Sequence, residues 1–175
     1  MTKHTIYLLI IPATFLFISC QGANQQEREP SRQQLRESLL GANTMLIDAE
    51  DQEIEDFIQR HGWQMNETGS GLRYDIYQEG TGPKAQKDRI AVFHYTVRLI
   101  TGDVIYSSEN KEPSEFQIGR GGVESGLEEG MLLLRVGDQA RFILPSHLAH
   151  GVPGDGVKIP KRATLIYDIE LVELK

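Results

Sequence analysis

Two histidines, His147 and His150, lie three residues apart in LPSHLAHGVPGDG, Leu144 to Gly156. Three apart is helical spacing for side chains that share a face. Two imidazoles fall short of a closed metal site, which takes three or four ligands. The single cysteine, Cys20, is remote in sequence. No metal is therefore expected here, and a catalytic pair or a pocket independent of imidazole chemistry remain. The chain has no C-x-x-C pair, phosphate loop or H-E-x-x-H. The GRGG run, Gly119 to Gly122, reads as a turn, because no strand–loop–helix unit with the required lysine follows.

The 175 residues allow one ordinary domain plus something smaller. Hydrophobic content of 39% and charged content of 25% are globular values. The net charge of −7 argues against nonspecific nucleic-acid binding, which needs clustered Lys and Arg. The start, MTKHTIYLLIIPATFLFISCQG, has a basic beginning at Lys3 and His4 and an apolar run from Ile6 to Ile18. That run is too short to span a bilayer as a helix, and Pro12 interrupts it. It fits the core of a signal peptide over residues 1–19.

The elements that must position any site follow. Residues 20–45, polar and rich in Gln, Arg and Glu, read as a flexible tether, with a frayed helix as the alternative. Ile47, Ile54, Phe57 and Ile58 make a helical stripe near Leu46–Arg60, stopped by Gly62, so residues 46–62 are expected to be a helix. Asp51, Glu53, Glu55 and Asp56 read as its solvated face. From there the period falls to two. Leu72, Tyr74 and Ile76 alternate with polar residues, and IAVFHYTVRLI is strongly β-prone. SEFQIG and QARFILP read as further strands. In the last segment Leu165, Tyr167, Ile169 and Leu171 share one face, with Asp168 and Glu170 on the other. Val123, Leu127 and Met131, at four-residue steps, give GVESGLEEGMLLLRVGD a helical core. Many antiparallel strands with one short helix make an α+β domain.

The ordered motifs FHYTVRL, TGDVIYSS, FQIGRGGVESGLEEGMLLLRVGDQARFILPSHLAHG and KIPKRATLIYDIELVEL resemble an FKBP-type peptidyl-prolyl isomerase over residues 71–175. The resemblance implies an antiparallel sheet curled around a short helix, here Glu124–Leu133, and preceded by the N-terminal helix. It implies proline-containing polypeptides as partners and no cofactor. FISC resembles a bacterial lipobox, in which Cys20 would be acylated and hold the chain to a membrane; a plain secretory signal with an incidental cysteine is the alternative. Phe17 departs from the usual Leu of that motif. The layout as a whole is similar to the gliding-motility-associated FKBP lipoproteins. That implies a periplasmic place, the outer membrane first, and possible partnership with an envelope machine.

Rotation about an X-Pro bond makes and cuts no bond, so the chemistry needs no nucleophile. The barrier is on the order of 20 kcal/mol, and a water-poor apolar pocket favours the twisted, less polar amide. By the resemblance, Tyr95 and Tyr167 are aromatic walls, and Val123 and Leu127 lie under the proline ring. Ile159 is an apolar wall position, and Phe116 is an aromatic in or beside the core that is counted with the substrate-binding residues. Where the family has Phe-Asp, this chain has Ile105 and Tyr106, so the carboxylate near the amide is expected to be missing. Glu124 stands at an Ile or Val position whose backbone N–H contacts ligand. Ser114 replaces an aromatic, and Lys158 an apolar loop residue. His150 stands where a tyrosine hydroxyl donates to the substrate carbonyl, and a ring nitrogen can also donate. Tyr95, Phe116, Leu127 and Tyr167 can equally be core residues, and Tyr106 can be a packing residue that fills the space of the absent Asp.

Overall fold

The structure, a computed structural model, describes residues 31–175. The signal-peptide segment, Cys20 and the first part of the expected tether lie outside these residues. The first element is a long helix, α1, Arg32–His61. It overturns the expected tether over 32–45 and moves the helix start from Leu46 to Arg32. The reason is local. The Ser31 hydroxyl accepts the N–H of Gln34 at 3.2 Å, and the Gln34 side chain accepts the N–H of Ser31 at 2.9 Å, a reciprocal cap. The Gln, Arg, Leu and Glu that follow are strong helix formers. This first half buries nothing: Leu35, Leu39, Leu40, Met45, Leu46 and Ile47 are all exposed. Gly62, at φ +64°, ends the helix in the left-handed conformation that glycine adopts without strain.

The strands are β1 (Asn66–Glu67), β2 (Arg73–Gln78), β3 (Ile90–Leu99), β4 (Val104–Ser107), β5 (Ser114–Gln117), β6 (Gln139–Leu144) and β7 (Leu165–Leu174). They form one sheet in the order β1-β2-β6-β7-β3-β4, with β5 also on β3. Every pairing is antiparallel. β5 pairs the first half of β3 and β4 the second, so both lie along one side of this long strand. The short helix α2 spans Ser125–Met131, narrower than the expected Glu124–Leu133. Glu124 is its N-cap and Leu132 its C-cap.

Side-chain alternation sorts the strands into two faces. Phe142 and Leu144 of β6, with Leu165, Tyr167, Ile169 and Leu171 of β7, join Leu127 and Met131 of α2 in the main core. α2 sits close because Gly130 has no side chain: a Cβ there would lie 2.5 Å from the Phe142 ring. Ile143 and Ile166 point to the opposite face, where they pack with Ile54 and Phe57 of α1.

α1 is also tied down by charge. The Glu50 carboxylate accepts the N–H and hydroxyl of Ser146 at 2.6 and 2.8 Å, and the hydroxyl of Thr164 at 2.8 Å. Asp51 and Glu55 do not merely face water. They pair with Arg73, whose side chain is only 4% exposed. A buried guanidinium needs such partners, since an unpaired buried charge is costly. Glu53 and Asp56 stay exposed, as the periodicity predicted.

Candidate functional site

A pocket of about 400 Å³ opens on the inner side of the sheet, over α2. β3 contributes Phe93, Tyr95 and Val97, which alternate toward it. β4 adds Tyr106, β5 adds Ser114 and Glu115, and β7 adds Tyr167. Leu127, 3% exposed, comes from α2, with Val123 and Glu124 from the segment just before it. His150 and Asp155 enter from the segment after β6. Tyr95 and Phe93 have ring centroids 5.7 Å apart, and Tyr95 and Tyr167 6.5 Å. Spacings of this order allow favourable edge and offset aromatic contacts.

The fold thus brings together eight residues that sequence reasoning singled out: Tyr95, Tyr106, Ser114, Val123, Glu124, Leu127, His150 and Tyr167. Ile105, Phe116 and Ile159 do not line the cavity. They lie in the core cluster that also holds Leu127 and Tyr167. Each is at most 9% exposed, and Phe116 stands edge-on to Phe93 at 5.7 Å. Alternation along the short strands β4 and β5 turns Ile105 and Phe116 into the core as readily as into a pocket.

The two histidines part company. His147, in the short 3-10 helix Ser146–Leu148, sets Nε2 2.9 Å from the Ser70 carbonyl, outside the pocket. His150 Nε2 lies 2.8 Å from Glu124 Oε1. A carboxylate only accepts, so that nitrogen is the donor, and in the neutral ring Nδ1 is then an acceptor. With Nε2 engaged by Glu124, that nitrogen is not free to donate to a substrate carbonyl. The Tyr167 hydroxyl also donates to Glu124 Oε1, at 2.8 Å. Burial, followed by the charge of Glu124, pushes the Tyr167 pKa far above the ordinary tyrosine value, so the hydroxyl keeps its proton.

The carboxylate expected to be missing is supplied by a different part of the chain. The Tyr106 hydroxyl donates to Asp155 Oδ2 at 2.5 Å. Asp155 Oδ1 accepts the N–H groups of Val157, Lys158 and Ile159 at 2.8, 2.9 and 2.7 Å. The Tyr106 hydrogen bond first, and then these backbone bonds, hold the Asp155 pKa well below the usual carboxylate range against the opposing effect of desolvation. The same bond raises the Tyr106 pKa. Tyr106 is thus more than packing. The loop closes tightly enough that Gly154 has φ +68°, and a Cβ there would lie 2.2 Å from the Ile159 carbonyl. Lys158 Nζ reaches the Ile105 carbonyl at 3.0 Å and lies 5.1 Å from the Tyr106 ring centre.

Sequence reasoning missed Asp155, Phe93, Val97 and Glu115. The signal for Asp155 was the PGDG turn: an Asp beside Gly bonds its own following N–H groups. What no spacing showed was that Tyr106 meets it. A larger recess, about 530 Å³, lies on the outer face between Trp63, Arg98, Arg141 and Asp168. Asp168 pairs with both arginines there. An apolar ring is better served by the smaller pocket, with its aromatic walls and few convergent polar groups.

Comparison with known proteins fits this geometry. Residues 82–172, more than half the chain, match the model of the FKBP-type peptidyl-prolyl cis-trans isomerase family. The chain is 42% identical over 108 residues to the probable FKBP-type peptidyl-prolyl cis-trans isomerase FkpA of Neisseria meningitidis, covering 61% of this chain and 39% of that protein. It is 37% identical over 123 residues to the FKBP-type 22 kDa peptidyl-prolyl cis-trans isomerase of Escherichia coli, covering 69% and 57%. This chain therefore spans well under two thirds of the length of either relative. The crystal structure of AtFKBP13 superposes with a TM-score of 0.61 at 31% identity, covering 64% of this chain and 99% of that one. FkpA from Escherichia coli superposes with a TM-score of 0.65 at 24% identity, covering 84% and 74%, a likeness of fold.

Proposed function

Because this chain belongs to the FKBP-type peptidyl-prolyl cis-trans isomerase family, we propose that it isomerises X-Pro bonds of envelope proteins, from a membrane to which lipidated Cys20 holds it. The observation that carries the activity is the pocket over Leu127, walled by Phe93, Tyr95 and Tyr167. A proline ring seats on Leu127, and the apolar walls exclude water from the amide. The planar amide is the more polar form and loses more by desolvation, so the twisted form is relatively favoured. Binding the transition state better than the ground state is the whole of the catalysis.

The Tyr95 hydroxyl is left as a donor for the substrate carbonyl. The hydroxyls of Tyr106 and Tyr167 and the Nε2 of His150 all point at carboxylates. The Tyr95 hydroxyl has no hydrogen-bond partner among the described residues, and Tyr95 lines the pocket. An X-Pro tetrapeptide assay on the purified protein tests the reading. Turnover is expected, and Tyr95→Phe is expected to lower kcat/KM severalfold, the worth of one hydrogen bond of about 1 kcal/mol. A folded protein with no turnover on any X-Pro peptide would overturn it.

That result would favour a second reading, a scaffold that binds a partner of an envelope machine such as that of gliding motility. The specific observation behind it is that Glu124 and Asp155 have turned most pocket donors inward. The resemblance of the overall layout to gliding-motility lipoproteins supports the same reading. Membrane attachment rests on the FISC sequence after a short apolar run. Several acyl chains on one residue anchor stably where one does not. Cys20→Ala is expected to move the protein from the membrane fraction to the soluble one. A variant that stays on membranes through a salt wash would sink the lipid anchor.

A further inference from the structure

The pocket carries a charge whose use the isomerisation reaction leaves open. Glu124 occupies the N-cap of α2 but makes no side-chain cap there. Its carboxylate turns into the pocket instead, with a side chain only 13% exposed. Oε1 accepts from both His150 and Tyr167. Oε2 has no hydrogen-bond partner among the described residues.

The other carboxylates around the pocket already have partners. Both oxygens of Asp155 are engaged, by Tyr106 and by three backbone N–H groups. Glu115 pairs with Lys175 at 2.9 Å. Lys158 Nζ donates to the Ile105 carbonyl, and Lys158 is not among the residues that line the pocket. No lysine or arginine pairs with Glu124 among the described residues. A carboxylate this sheltered is weakly screened, and its field acts on whatever occupies the pocket.

We infer that Glu124 is a specificity-determining residue, which makes the pocket select prolines flanked by a cationic residue, lysine or arginine. The inference rests on the isomerase reading of this pocket and deepens it. A flanking ammonium or guanidinium gains the attraction of Oε2. A flanking carboxylate meets a like charge that it cannot escape into solvent, and a flanking leucine is indifferent to either.

The test uses the intact protein and three tetrapeptides that differ only beside the proline, carrying Lys, Leu or Glu, with the position before and the position after varied in turn. kcat/KM and, separately, peptide affinity by NMR titration are read for each. Lys over Glu is expected by on the order of tenfold, the size of one partly screened charge interaction. Glu124→Gln keeps an acceptor for His150 and Tyr167 and is expected to erase that ratio. Glu124→Lys is expected to reverse it. A residue that only supports the fold would move all three peptides together. Equal kcat/KM and affinity for all three peptides, or a Lys preference that survives in Glu124→Gln, would overturn the inference. If no peptide is turned over, the isomerase reading fails, while the affinity ranking still decides the role of Glu124.

Discussion

Phe57→Ala is expected to lower the melting temperature by on the order of 10 °C, from a loss of about 3–5 kcal/mol. Phe57 is 6% exposed and packs with Ile54, Ile143 and Ile166 on the outer face of the sheet. Its ring stacks on His61 at 4.0 Å and meets Trp63 edge-on at 5.3 Å. Trp63 in turn lies 3.8 Å under the Arg141 guanidinium. Removing the ring opens a cavity where α1 meets the domain. Trp63 is the single tryptophan, so its emission reports the change directly and is expected to shift to the red. Phe57 does not line the pocket, so turnover below the new melting point is expected to change little. An unchanged melting temperature would mean that α1 is not held by this cluster.

Asp155→Ala is expected to lower kcat/KM by about tenfold to a hundredfold, through loss of the loop that closes the pocket. One carboxylate here gathers four donors: the Tyr106 hydroxyl and the N–H groups of Val157, Lys158 and Ile159. Without it, three adjacent backbone donors lose their acceptor, and Tyr106 is freed from its place in the wall. Asp155→Asn keeps an acceptor oxygen for the backbone donors and is expected to recover most of the activity. Equal activity in Asp155→Ala and the unaltered protein would show that the loop does not shape the pocket.

The same geometry sets a pH dependence. The pKa of Asp155 is lowered in the folded state, with the Tyr106 hydrogen bond as the main cause. Its contribution to stability is therefore fully present above the ordinary carboxylate value of about 4. It is lost as pH falls below that value and through the folded one. Acid loosening of the loop is expected only below about pH 4.

Tyr106→Asp would restore the Asp of the family's Phe-Asp pattern only in sequence. In space it would set a second carboxylate against Asp155, where like charges repel. The carboxylate beside this pocket comes from the loop after β6, and the Tyr106 hydroxyl donates to it.

Much of this was legible locally. A strand alternates every second residue, so Leu165, Tyr167, Ile169 and Leu171 could be assigned one face, and all four are buried. A glycine after a helical stripe marks its end, and Gly62 ends α1. The motifs in their order were enough for the family and its fold, and they singled out eight residues of the pocket. The tertiary structure decided what was not local. The start of α1 was obscured because its first half buries nothing, so no apolar period marks it; a cap and helix propensity hold it instead. Ile105, Phe116 and Ile159 entered the core because a neighbour's packing, not a residue's type, chooses between wall and interior. Above all, hydrogen-bond partners are matched in space. Tyr106 finds Asp155 across 49 positions, and Tyr167 finds Glu124 across 43. A carboxylate acts within a few ångströms, and only the folded chain sets which donors come that close.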